Sequence, residues 1–117
     1  MASVSRILLM NGTVDADAES DAVSLNSNWT RFIGVLSITN FVSGEFCVFI
    51  QHSPDKVNWT NLISFAPQKT ANDLVIAYPI HDVFFHSCLP YVKAVVDIDG
   101  VSQADVKVEF FYDEMTK

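Results

Sequence analysis

The segment from residue 44 to residue 65 constrains the fold of this chain more than any other part of the sequence. It contains one alternating strand, a tight polar turn, a tryptophan and a second strand. Residues 45–52 alternate with the period of two that is characteristic of a β-strand. Because apolar side chains also occupy its second face, the strand is expected to be central or covered on both sides, in a small all-β domain built from hairpins. The two apolar sets are Phe46, Val48 and Ile50 on one face, and Cys47 and Phe49 on the other.

The turn between the two strands contains residues that stabilise a reversal of the chain. The side chains of Ser53 and Asp55 are expected to accept backbone N–H bonds, and Pro54 presets φ for a type I turn. Trp59 follows at once and is predicted to pack over the end of the hairpin and fix its register. A second interpretation stays open, in which an exposed Trp59 or Trp29 stacks on a sugar ring.

Short β-rich runs recur along the rest of the chain, and no segment has helical periodicity. Residues 92–98 and 104–112 alternate on either side of Asp99-Gly100, the preferred pair for a type I′ turn, which predicts a closing hairpin with Glu109 pointing outward. The other runs predict strands over Val4–Met10, Ala22–Asn26, Trp29–Phe41 (ending at Ser43-Gly44), Asp73–Ile80 and Val83–Cys88.

Eight or nine short strands with polar turns predict an all-β fold, an antiparallel β-sandwich similar to a jelly roll. The chain has 117 residues, enough for one domain with its own hydrophobic core. We therefore expect residues 1–117 to form a single β-sandwich domain. Within it, residues 1–10 are expected to be an N-terminal strand that a partner could hold.

The charges of the chain disfavour two classes of partner. Fourteen acidic residues against seven basic ones give a net charge of −7, and the basic residues are scattered. Binding to nucleic acid or to an anionic membrane needs clustered positive charge, so neither is expected. The run Ile7–Met10 is too short for a signal peptide, and no apolar run approaches the roughly 20 residues of a membrane helix.

No group of residues matches a metal or catalytic motif. The acidic run 15–21 begins like a calcium loop, but Ser20 and Asn26 stand where such a loop has glycine and a bidentate glutamate. The residues at 81, 86 and 88 (His, His, Cys) have the chemistry for zinc without the spacing of a structural zinc site. No metal, cofactor or catalytic residue is expected, and the protein is not expected to be an enzyme. Cys47 and Cys88 are expected to be thiols, although a disulfide between them stays open.

The chain from about residue 29 to residue 112 resembles small β-sandwich proteins of tailed-bacteriophage virions, and the segment 46–62 carries the main motif. In those proteins a strand leads through a Ser-x-Asp-Gly-x-x-Trp turn into the next strand, and residues 53–59 match all of this pattern except the glycine. A Tyr-Val-Lys strand and a closing strand with alternating valines, both common in the family, correspond to residues 91–95 and 105–108. Lys56 stands at the glycine position, so we expect this turn to be longer and to avoid the left-handed conformation that glycine permits.

By this resemblance, the protein is expected to be a capsid decoration (cement) protein, or a related accessory subunit of the head or tail. Such proteins sit on the virion surface, often as trimers, and clamp neighbouring major capsid proteins. The resemblance thus implies a homo-oligomer, with a trimer favoured, that is made in the host cytoplasm and binds the major capsid protein on the capsid surface. A receptor- or carbohydrate-binding module and a small tail component stay open as alternatives.

Two pairs of adjacent aromatic residues supply the candidate interface. Phe84-Phe85 and Phe110-Phe111 place neighbouring rings on opposite faces of a strand. One ring of each pair must then lie outside the main core unless another element covers it. Phe85 and Phe111 are the candidates predicted to face a partner.

Overall fold

The computed structural model describes residues 2–25, 29–78 and 90–115 of the chain. These residues form seven strands, all paired antiparallel, and contain no helix. The all-β antiparallel class predicted from the sequence is therefore confirmed, while the strand predicted over Val83–Cys88 lies outside the described residues. The seven strands are β1 (Ala2–Val14), β2 (Ala18–Glu19), β3 (Val23–Ser24), β4 (Trp29–Ser53), β5 (Thr60–Ser64), β6 (Asn72–Ala77) and β7 (Tyr91–Met115).

Two strands of 25 residues each, β4 and β7, form the centre of the sheet. They pair from Trp29 opposite Glu114 to Ser53 opposite Tyr91, with register shifts near Trp29 and at the bend between Thr39 and Glu45. Strands β1, β2 and β3 follow one another along the outer side of β7, and β5 and β6 lie along the outer side of β4. The sheet is therefore four strands wide. Each outer position is occupied by separate shorter strands, with a gap between them where the central strands bend.

This sheet is folded across its strands into two layers. The evidence is that residues far apart along β4 lie close together. Gly34 lies so close to the opposite layer that a Cβ at this position would be 3.0 Å from Ile50 Cδ1 and 3.3 Å from Ile63 Cγ2. Layer A contains β1, β6, residues 29–39 of β4 and residues 104–115 of β7. Layer B contains β2, β3, β5, residues 45–53 of β4 and residues 91–99 of β7.

Both central strands bend at the line where the sheet folds. The bends contain three residues with positive φ: Asn40 (47°), Gly44 (97°) and Gly100 (70°). At Gly44 a Cβ would lie 2.6 Å from Ser102 Cα, so only glycine fits where β4 passes β7. The hydroxyl of Ser102 also accepts the backbone N–H of Glu45 at 3.2 Å, which joins the two bends.

Two sequence predictions about strand ends are wrong. The sequence predicts that a strand ends at Ser43-Gly44, but β4 runs through this pair as one strand. It also predicts a closing hairpin at Asp99-Gly100, but β7 continues through that pair, and both halves of β7 pair with β4. The glycines bend the two strands without reversing them, because β4 and β7 hold each other in register on both sides of the bend.

The core lies between the two layers and comes from the inward residues of the long strands. The faces follow the alternation of the sequence, and each larger side chain that is fully buried there stabilises the fold by about 1.5–3 kcal/mol. The central strands contribute Phe46, Val48 and Ile50 from β4, and Val92, Ala94, Val96, Ala104, Val106, Val108 and Phe110 from β7, all fully buried.

Candidate functional site

The turn after β4 is closed by two side chains. Ser53 is fully buried, and its Oγ accepts the backbone N–H groups of Asp55 at 3.1 Å and Lys56 at 2.9 Å. The carboxylate of Asp55 then accepts the N–H groups of Val57 and Asn58, each at 2.8 Å. Consecutive backbone amides therefore donate to these two side chains, and the conformation of the turn is fixed locally.

These hydrogen bonds also set the charge state of Asp55. The backbone N–H groups of Asn58 and Val57, together with the side-chain amide of Asn58, stabilise the carboxylate and lower the pKa of Asp55 to about 2. The side chain is therefore ionised throughout the neutral range, and it remains a hydrogen-bond acceptor until the solution is strongly acidic.

Lys56 adopts a left-handed conformation, so the expectation that the turn avoids this conformation is wrong. Its φ is 67°, which costs an ordinary side chain about 1–2 kcal/mol relative to glycine. The Nζ of Lys56 lies 4.9 Å from the ring centroid of Tyr91. This cation–π contact contributes about 0.5–1 kcal/mol and offsets part of the backbone cost. Lysine can thus take the place of glycine in this turn.

Trp59 is half-buried and connects the turn to two strands of layer B. Its Nε1 donates to the carbonyl oxygen of Lys56 at 3.1 Å. The Nζ of Lys93, on β7, lies 4.4 Å from the Trp59 ring centroid and 3.3 Å from Oε1 of Glu19, on β2. A cation therefore already lies against the ring on which a sugar would stack. The side chain of Trp29 lies outside the described part of the structure.

Layer A carries a group of outward apolar side chains, called here the apolar face. Leu8 and Val35 both pair with Glu109, and Ile76 pairs with Val35, so these residues lie in one row across the four strands of the layer. An extended group of apolar side chains outside the core is typical of an interaction surface. The exposed members are Leu8 (45%), Leu74 (61%), Ile76 (48%) and Tyr78 (70%), and the half-buried members are Ile33, Val35 and Phe111.

Phe110 and Phe111 point to opposite faces of β7. Phe110 is fully buried, and its ring centroid lies 5.9 Å from that of Phe32 in the core. Phe111 is half-buried on the apolar face, opposite Ile33 of β4. Its contact with a partner remains a prediction. The other candidate, Phe85, lies outside the described residues.

A shielded carboxylate lies in the middle of the apolar face. Glu109 points away from the core, yet it is only 8% exposed. The Nε of Arg6 contacts its carboxylate, and the Nζ of Lys107 lies 3.8 Å from it. These cations compensate the charge that burial would otherwise penalise. Two cations thus lie beside one carboxylate on the apolar face, although the chain as a whole is strongly acidic.

The outer face of layer B differs, because it places a thiol among carboxylates. Cys47 is a free, half-buried cysteine. Burial raises its pKa, and the charges of Glu45, Asp97 and Asp99 raise it further. The thiolate is therefore disfavoured, whereas a reactive cysteine needs a lowered pKa.

The residues considered for zinc and for a disulfide, His81, His86 and Cys88, lie outside the described residues. Within residues 2–25, 29–78 and 90–115, no group of three or more His, Cys, Asp or Glu side chains is arranged to hold a metal ion. The same residues include no helix long and apolar enough to cross a membrane.

The sequence prediction did not identify the exposed part of the apolar face on and beside β6. Leu74, Ile76 and Tyr78 are spaced two residues apart, which is the signal that could have placed them together on one face. The signal is hidden because Val75 and Ala77, which pack against the core, are also apolar.

The fold is similar to that of YomS, an SPBc2 prophage-derived protein with a crystal structure. The two structures have a TM-score of 0.59 and 14% sequence identity, and the match covers 97% of this chain and 96% of that chain. PirA matches 97% of this chain and 93% of its own at 12% identity, with a TM-score of 0.39 that is too low to indicate a shared fold. No protein-family model and no curated protein matches this sequence.

Proposed function

We propose that this protein is a non-enzymatic structural subunit of a bacteriophage particle, specifically a capsid decoration subunit that oligomerises and clamps neighbouring major capsid proteins. The observation that carries the proposal is the fold shared with the SPBc2 prophage-derived protein YomS over almost the whole of both chains. Because one fold can serve many functions, the surface of this chain has to support the proposal as well.

The apolar face supports an assembly role. Its exposed side chains, such as Leu74 and Ile76, gain free energy when a partner removes them from water. A clamp on a capsid is repeated many times over the shell. Each copy therefore needs only a modest interface, since linked contacts reinforce one another.

The locally fixed turn supports a binding role that needs no conformational change. The side chains of Ser53 and Asp55 hold the turn through their own hydrogen bonds, so little conformational entropy remains to be lost when a partner binds. A rigid subunit is suited to bridging proteins whose spacing is set by a lattice.

The perturbed carboxylates support a structural role over a catalytic one. Asp105 has a lowered pKa because its carboxylate accepts hydrogen bonds from Thr13 and Asn40, at 2.6 and 2.7 Å. These bonds join β1 and β4 to β7, just as the bonds of Asp55 hold the turn. Shifted pKa values often mark catalytic groups, but here the hydrogen bonds that hold the strands and the turn account for them.

A carbohydrate-binding module is disfavoured by the surroundings of Trp59. A ring that stacks on a sugar needs a free face, but Trp59 is half-buried and has Lys93 against its ring. A small tail component would be the same kind of subunit at a different place in the particle. The experiment below distinguishes the capsid from the tail.

The proposal is tested by co-sedimentation of the purified protein with capsids that lack it. We expect saturable binding at a fixed ratio to the major capsid protein, with no binding to capsids that already carry the protein. Binding to isolated tails but not to capsids would instead assign the subunit to the tail. Binding to neither particle would overturn the proposal.

A further inference from the structure

We infer that copies of this protein join edge to edge through layer A, with β6 of one copy pairing antiparallel with β1 of the next, so that the oligomer closes into a ring. The inference rests on the proposed function in one respect: that function requires an oligomer, and this pairing would form it. It names the partner of the apolar face, a second copy of this chain, and the strands through which that copy binds.

Both outer edges of layer A are open within residues 2–25, 29–78 and 90–115. There, β1 pairs only with β7, and β6 pairs only with β4. The amide of Leu74 donates to the Asn72 side chain at 3.3 Å, within the irregular stretch where the register of β6 against β4 shifts between Asn72 and Val75. Beyond this shift, residues 75–77 pair in regular register with β4, and no described strand pairs with their other side. Strand β6 contains no lysine and no proline, and its protecting features, Asp73 and the register shift, lie before Val75, so the edge is accessible from Val75 onward.

The two edges match in their apolar side chains. Leu8 on β1 and Ile76 on β6 are the two ends of the same row across layer A, and both are about half exposed. A second copy that continues the sheet without stagger places its Leu8 beside Ile76. Leu74 and Tyr78 extend the exposed apolar group at the β6 edge, and Leu8 lies at the opposite edge, so both surfaces that the pairing would bring together are apolar.

The distribution of charge favours contact between copies at layer A. A net charge of −7 makes copies repel each other, so they are expected to meet where the acidic excess is absent. On the apolar face, Arg6 and Lys107 compensate Glu109 within the same chain. The outer side of layer B instead carries Asp97 and Asp99, so contact between copies there would bring carboxylates together.

Strand direction makes the pairing head-to-tail. The rows of layer A run β1, β7, β4, β6, and each neighbour is antiparallel to the last. A copy placed beside this layer therefore brings its β1 next to β6 in the antiparallel direction that continues the sheet. Contacts between two different surfaces generate closed rings when the rotation between copies permits. The N-terminal strand is then held by a partner as well as by its own β7.

The test uses two variants that each disable one edge. Leu8→Lys disrupts the β1 edge and Ile76→Lys disrupts the β6 edge, because each puts a charged, hydrated side chain where the interface needs an apolar one. By analytical ultracentrifugation, the wild-type protein is expected to be a ring and each variant a monomer, with the dissociation constant raised on the order of 100-fold or more. An equimolar mixture of the two variants is expected to form a dimer, because each supplies the edge that the other lacks.

The control is Val42→Lys, which makes the same change of charge at an exposed position (65%) outside the apolar face and should leave the ring intact. Far-UV circular dichroism checks that the variants fold, and Leu74→Lys replaces Ile76→Lys if the latter does not. A wild-type monomer at high concentration would overturn the inference, and so would a Leu8→Lys variant that still assembles like the wild type. If that monomer binds capsids, only the inference fails and the proposed function stands.

Discussion

Gly44 and Ser102 approach each other more closely than any larger residue at position 44 would allow. A Cβ on residue 44 would lie 2.6 Å from Ser102 Cα, and the φ of Gly44 is 97°. The hydroxyl of Ser102 donates to the carbonyl oxygen of Asp99 at 2.9 Å, within the bend of β7. The position at which the sheet folds is therefore fixed by one close contact between its two central strands.

Replacing Gly44 by alanine is expected to lower the free energy of unfolding by about 2–4 kcal/mol, measured by urea denaturation. Two other glycines serve as controls. Gly12→Ala meets no atom within 4 Å and should change stability by less than about 0.5 kcal/mol. Gly100→Ala also has free space but a φ of 70°, so it should cost about 1 kcal/mol. Equal losses for Gly44→Ala and Gly100→Ala would show that crowding against Ser102 is unimportant.

Asp55 is expected to make stability depend on acidic pH. Its pKa is about 2 in the folded protein and near its ordinary value of 3.8 in the unfolded chain. Its contribution is therefore fully present above about pH 4 and is lost as the pH falls through 2. The difference in unfolding free energy between the wild type and Asp55→Ala should shrink from pH 5 to pH 2. Asp15→Ala, which removes another exposed carboxylate, is the control for general charge effects, and a difference that stays constant with pH would contradict the prediction.

Lys56 is expected to show opposing effects of backbone strain and ring contact. Lys56→Gly relieves the left-handed conformation but removes the contact with Tyr91, so the net change in unfolding free energy should be within about 0.5 kcal/mol. In a Tyr91→Leu background the contact is already absent, and Lys56→Gly should then stabilise the protein by about 1 kcal/mol. The two effects would prove unrelated if the glycine had the same effect in both backgrounds.

Cys47 is expected to react slowly with thiol reagents in the folded protein. Burial, and then the charges of Glu45 and Asp97, raise its pKa, so the thiolate fraction at pH 8 is low. In a Cys88→Ser background, labelling should be slower in the folded protein than in urea, and Asp97→Asn should accelerate the folded-state reaction. Asp73→Asn makes the same change at a carboxylate on β6 that is not among those raising the Cys47 pKa, and it is the control. A folded protein that is labelled as fast as the unfolded one would contradict the raised pKa.

Phe110 and Phe111 are expected to respond in opposite ways to the same substitution. Phe110→Asp places a charge in the core and should prevent folding, because removal of a buried phenylalanine alone costs about 3–5 kcal/mol. Phe111→Asp changes the apolar face and should give a folded monomer that no longer assembles. Circular dichroism and light scattering separate the two results. Loss of folding in Phe111→Asp would place that side chain in the core.

The sequence predicts the hairpin of β4 and β5 well because its determinants are local. The alternation through Phe46 and Ile50 and the side-chain hydrogen bonds of Ser53 and Asp55 act within a few residues of one another. The same kind of local signal fails at Asp99-Gly100, where a preferred turn pair forms a bend inside a strand. The difference lies in the pairing partners, since β4 continues beside β7 on both sides of the bend.

Some features of the candidate site could not be predicted from the sequence, because they depend on contacts between segments that are far apart in the chain. Lys93 lies against Trp59 and pairs with Glu19, and nothing in the spacing of these residues indicates that they meet. Glu109 was expected to be outward and polar, but its exposure is low because Arg6 arrives from the far end of the sequence. The sequence could place Phe111 outside the core because strand alternation alone decides that.

The central position of β7 affects how this protein folds during its synthesis on the ribosome. Strand β7 follows the other six strands in the sequence, yet β1, β2, β3 and β4 all pair with it. During synthesis these strands emerge before β7, so the part of the core that β7 covers stays exposed until β7 leaves the ribosome. Each copy therefore completes its core in one late step, after β7 has been synthesised.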